Sequence, residues 1–179
     1  MGYTTDFSGK FTLNKKLDDV TLTFLKDLAG TRRMARNVDA KYGVEGEFYV
    51  KDDELHLLHD CNTPPSTQPS LWCQWIPTED GLGIEWDGGE KFYEYVEWLK
   101  YIIDKILAPK GYVLNGRVHF QGEDSSDFGY IVAKDNVVTI DNGHQTYDSD
   151  KEEEAEKPIP EPINIEPIKP LKRKVNWRQ

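Results

Sequence analysis

A chain of 179 residues that is 37% apolar, with five Trp and nine Tyr, is long enough to bury one core without metal or disulfide staples. Its formal charge of −10 falls almost wholly on residues 1–147, which carry a net −9. A domain of that sign argues against general binding to phosphate backbones. Two cysteines, Cys61 and Cys73, set up no disulfide framework, and no apolar run approaches the roughly 20 residues of a membrane span. The N-terminus MGYTTD lacks a signal-peptide core, so a cytoplasmic location is expected.

The first element is a strand, in which Phe7, Gly9, Phe11 and Leu13 alternate with Ser8, Lys10 and Thr12. DDVTLTFLKDLAG then reads as a helix capped by Asp18, with Val20, Phe24, Leu25 and Leu28 on its buried face and Gly30 at its end. TRRMAR continues as a loop or a further helical turn. GEFYV and ELHLLHD flank a polar turn and predict a hairpin, and CNTPPSTQPS is a proline-rich loop. LWCQWIP and LGIEW flank TEDG as a second hairpin, with Pro77 at a strand end.

The main helix is predicted from Glu90 to Leu107, burying Phe92, Val96, Leu99, Ile102, Ile103 and Ile106. YVLNGRVHFQG, FGYIVAKD and NVVTID follow as strands, the last two joined at Asp135–Asn136, a pair that favours a tight turn. Strands and helices in this order predict an α+β domain over residues 1–147. Its sheet is antiparallel and built of hairpins, with two helices packed on one face in a pattern akin to the split βαβ unit. From Asp148 the composition changes to a charge run, a proline-spaced segment and a basic end, so residues 148–179 are expected to be a disordered tail. That tail either solubilises or docks.

The stretch GLGIEWDGGEKFY, residues 81–93, raises the question of a site. As structure, Asp87 caps the main helix, Glu90 complements its dipole, and Gly88 and Gly89 turn the chain. As function, Trp75 and Trp86 flank one sheet edge, Lys91 stands near a helix start, and Arg32, Arg33 and Arg36 form an anion-binding cluster if the fold carries them across. Asp87 and Glu90 oppose a phosphate there, and the glycine spacing fits no phosphate loop or dinucleotide fingerprint.

Glu123, Asp124 and Asp127 are explained by a turn before they are needed for a cation. His56 and His59 point to opposite faces of a strand, which spoils a zinc set with Cys61 and Cys73. No nucleophile signature is present. No metal and no cofactor is expected, and enzymatic activity is left open.

MGYTTDFSGKF, TRRM, QPSLWCQWIPTEDGLGIEWDGGEKFYEYVEWLKYII and GYVLNGRVHFQGEDSSDFGYIVAKDNVV together resemble an uncharacterised family of bacterial and phage proteins, over about residues 1–140. The family carries no assigned activity, so no residue role follows from it. The chain is shorter than its relatives after TRRM. Occurrence in phages implies a host-directed or counter-defence role by association alone.

Three functions are therefore expected, in this order. The first is an acidic binding protein directed at another protein, with no direct nucleic-acid or membrane binding. The second is an enzyme or small-ligand binder with a pocket near Arg32, Trp75, Trp86 and Asp87. The third is a nucleic-acid mimic that occupies a DNA-binding protein.

Overall fold

In β1 (Thr5–Leu13), Phe7, Phe11 and Leu13 are buried while Asp6, Ser8, Lys10 and Thr12 are exposed, the alternation expected of a strand with one covered face. This is a computed structural model, and it describes residues 2–51 and 54–143. The expected disordered tail lies outside the described residues.

The fold class is α+β. The main sheet has six strands in the order β4-β5-β1-β6-β7-β8, with antiparallel pairing throughout. Its strands after β1 are β4 (Trp75–Pro77), β5 (Gly83–Trp86), β6 (Leu114–Gly122), β7 (Phe128–Lys134) and β8 (Val137–Asn142). The N-terminal strand is thus central. It pairs with β6 from Thr5↔Gly122 to Leu13↔Leu114, and with β5 through Phe11↔Ile84.

Two glycines make that central pair possible. Gly9 and Gly116 have φ of 101° and 125°, and a Cβ at either would stand 3.3 Å from a backbone oxygen of the facing strand. The β7–β8 hairpin closes on Asp135 and Asn136, both left-handed, as the tight-turn signal predicts.

Both helices bury residues into the cluster on one face of this sheet. Helix α1 (Asp19–Gly30) starts where expected, because the Asp18 carboxylate accepts from Thr21 N at 2.7 Å. Of its expected inward face, Leu25 and Leu28 are buried and Phe24 packs partly buried on the core, and Val20 alone points out. Thr21, Leu25, Leu28 and Ala29 are buried, and Val20 is 74% exposed. Thr21 tolerates burial because its hydroxyl donates to Asp18 and accepts from Lys110 Nζ.

Helix α2 (Tyr95–Ile102) begins later than the expected Glu90, then continues through a π turn over Ile103–Leu107 and a 3-10 turn over Ala108–Lys110. Lys91 and Glu94 are left-handed, at φ 60° and 54°, which breaks the helical path before Tyr95. The expected stripe of Val96, Leu99, Ile102, Ile103 and Ile106 is buried, and Phe92 joins it from the preceding loop. Trp98 and Tyr101 are buried on the other flank, where Trp98 Nε1 donates to Ser70 Oγ and Tyr101 OH to Glu47 Oε1.

The expected hairpin of GEFYV and ELHLLHD is not formed. Short 3-10 turns occupy Ala40–Tyr42, Val44–Gly46 and Leu55–Leu57, while β3 (Leu58–Asp60) pairs with β2 (Ala35–Arg36) in a small second sheet. The left-handed Glu45 and Gly46 interrupt any extended run there. The carbonyls that a ladder would use instead satisfy Arg33.

Candidate functional site

The arginines of TRRMAR part company. Arg33 is wholly buried and turned inward: Nε donates to Gln68 Oε1, Nη1 to the Tyr49 carbonyl, and Nη2 to the carbonyls of Gly46 and Glu47. Desolvation lowers its pKa to about 10. Arg36 is buried as well. It donates to the Met34 and Arg32 carbonyls and lies 4.9 Å from the Tyr49 ring centre. Neither side chain is presented to solvent as an anion-binding cluster requires.

Trp75 is core, 1% exposed, with its indole N–H on the Tyr95 carbonyl and its ring edge-on to Phe7, Phe11 and Phe92. Trp86 is half-buried on Phe7, and its N–H donates to Gln74 Oε1. Asp87 does not cap α2. Its carboxylate accepts from Gly89 N at 2.7 Å and closes a local turn, while partial burial raises its pKa. The pocket expected around Arg32, Trp75, Trp86 and Asp87 is therefore not one space.

Two expected residues do meet. Arg32, which ends the approach to β2, and Lys91, in the turn before α2, both line a groove of about 560 Å3. The loop 62–74 forms one wall and residues 90–94 the other. Its apolar surface comes from Pro64, Pro69, Leu71, Trp72 and Tyr93. Trp72 is 42% and Tyr93 50% exposed. Ser70 ties the walls together: its hydroxyl lies 3.3 Å from both the Trp72 and Tyr93 carbonyls and accepts from Trp98.

Hydrogen bonding separates these rim residues from the core. Trp75, Trp86 and Trp98 each donate their indole N–H to a protein acceptor. Among the described residues, the Trp72 indole N–H and the Tyr93 hydroxyl have no such partner. Arg32 Nη2 makes one long bond, 3.4 Å, to Asn62, and its Nε is shielded from water without a partner among the described residues.

The chain matches no family model, no curated protein and no solved structure.

The acidic turn after β6 is structural: Asp127 accepts from the Tyr3 hydroxyl, Glu123 from Thr4 N, and Asp124 from Ser126. Among the described residues no three His, Cys, Asp or Glu side chains converge as a metal set. Cys61 is exposed and Cys73 buried.

Sequence reasoning missed Trp72 and Tyr93. A faint signal was present, since Trp72 falls out of step with Cys73, Trp75 and Pro77, which are buried.

Proposed function

We propose that this domain acts by binding another protein, and that the binding site is the groove between residues 62–74 and 90–94. One observation carries the reading. Among the described residues, two of the three exposed aromatic side chains, Trp72 and Tyr93, line the same groove as Arg32. Trp, Tyr and Arg supply a disproportionate share of binding energy at protein interfaces. The groove has room for a few side chains of a partner. The net −9 of residues 1–147 steers a basic partner toward it. The partner we propose is a bacterial protein met during phage growth, a choice that rests on the sequence resemblance alone. Residues 148–179, with their proline-spaced segment and basic end, supply a second attachment.

The test is affinity capture from a bacterial lysate with the full chain and with the double variant Trp72→Ala/Tyr93→Ala. The reading expects a specific protein retained by the parent and lost by the variant, with thermal melting unchanged. Equal retention by both chains contradicts it.

A further inference from the structure

We infer that residues 158–166, PIPEPINIE, add to the main sheet as a seventh strand on the open edge of β8, a site independent of the groove. The two edges of the sheet are not alike. β4 is three residues long and ends in Pro77, a short proline-bearing edge of the kind that resists further pairing. β8 runs for six residues, VVTIDN, with no proline, no lysine and no break in its register with β7. Among the described residues no strand lies beyond it.

Val138, Ile140 and Asn142 present the backbone of that edge. Gly143 N donates to the Phe128 carbonyl of β7, and strand residues alternate between the two sides, so Thr139 and Asp141 also face β7. The N–H and C=O groups of the other three point away from the sheet. Their side chains lie on the covered face. Ile140 pairs with Ile131, which is fully buried, and Val138 packs partly buried on the core. Ile140 is nonetheless 48% exposed, because the covered face ends at β8. One more strand with an apolar residue beside Ile140 closes the core there.

The sequence carries such a strand beyond the described residues. Pro158, Pro160 and Pro162 stand two apart, so in an extended segment the missing N–H groups all fall on one edge. Ile159, Glu161, Ile163 and Ile165 keep their donors, all on the other edge. An antiparallel register of Ile163 on Ile140 and Ile165 on Val138 sets donors against carbonyls. It also puts both isoleucines on the covered face and turns every one of these prolines to solvent. Residues 144–157 allow the return: the fourteen of them reach at most about 50 Å, against a strand spacing of about 5 Å. Lys172, Arg173 and Lys174 follow, opposite in sign to the net −9 of residues 1–147, and draw the segment back. β8 thereby supplies the backbone partner that a proline-spaced segment lacks when alone.

The test is amide hydrogen exchange on the full chain, read residue by residue by NMR, for the parent, Ile163→Pro and Asn164→Pro. In the parent, the Val138, Ile140 and Asn142 amides should exchange at least about tenfold more slowly than in Ile163→Pro, which removes a donor aimed at β8. Asn164→Pro extends the outward series of prolines and should exchange as the parent does. Thr139 and Asp141, bonded to β7, should stay protected in all three, which shows that the sheet is intact. Fast exchange of the three edge amides in the parent, equal protection in Ile163→Pro, or loss of protection in Asn164→Pro overturns the inference. So does protection that fades on dilution, which would mean that the added strand comes from another copy of the chain.

Discussion

Gln68 Oε1 accepts a hydrogen bond from Arg33 Nε at 3.0 Å, with both side chains buried. The rest of the Arg33 guanidinium points at the carbonyls of Gly46, Glu47 and Tyr49, so backbone dipoles rather than a carboxylate hold this cation. Arg33→Met leaves several buried acceptors unmet and should cost at least about 3 kcal/mol in urea unfolding. Arg32→Met, one residue away on the groove, should stay within about 0.5 kcal/mol of the parent while weakening partner binding. Equal destabilisation by the two would mean that the division of roles is wrong.

Leu99 is fully buried in the middle of α2, and Lys100 is exposed beside it. Leu99→Ala should cost about 2–5 kcal/mol by transfer and cavity terms. Lys100→Ala should change stability by about 0.5 kcal/mol or less. Comparable losses in chemical denaturation would place the helix face incorrectly.

Lys91 and Glu94 adopt left-handed backbone without being glycine. That conformation costs an L-residue about 1–2 kcal/mol, against about 0.5–1 kcal/mol of extra chain entropy lost by glycine on folding. Lys91→Gly and Glu94→Gly should therefore hold or raise stability, by up to about 1 kcal/mol each. A clear fall in melting temperature for either would show that its side chain, not its backbone, supports the rim.

Burial pushes the Cys73 thiol up to about 12, from an ordinary value of 9.0. The folded chain then keeps a proton that the unfolded chain loses. Stability from this group is complete below pH 9 and declines as pH climbs from 9 toward 12. Tyr101, also raised by burial, acts in the same direction, while Arg33, lowered to about 10, opposes the decline at higher pH. The clean window is therefore pH 9–10, where Cys73→Ala should flatten the fall in stability. Thiol titration adds a check: Cys61 should react in the native protein, and Cys73 only after denaturation. Two reactive thiols in the native state would contradict the burial of Cys73.

The sheet was legible where local signals and tertiary demands agree. Phe7 and Phe11 alternate inward, Asp135–Asn136 turns β7 into β8, and Asp18 caps α1. The segment around Glu47 and Tyr49 was not legible, because its conformation is set by Arg33, an exposed residue by type that the fold buries. The start of α2 escaped for a related reason. The apolar period runs on from Phe92, yet the left-handed Lys91 and Glu94 break the helix, and nothing in their side chains announces that conformation. Charge beside a helix start points to Arg32 and Lys91, which line the groove, whereas the apolar pattern places Trp72 in a strand and Tyr93 in a helix and so hides both.

Hydrogen–deuterium exchange on the full chain, alone and with its captured partner, tests the groove most directly. New protection should concentrate in residues 69–74 and 90–94, which carry Trp72 and Tyr93. The competing surface is the edge strand β8, where Val137 and Ile140 are exposed, and its exchange should change little. Protection confined to residues 137–142, with 69–74 and 90–94 exchanging as in the free protein, would contradict the account.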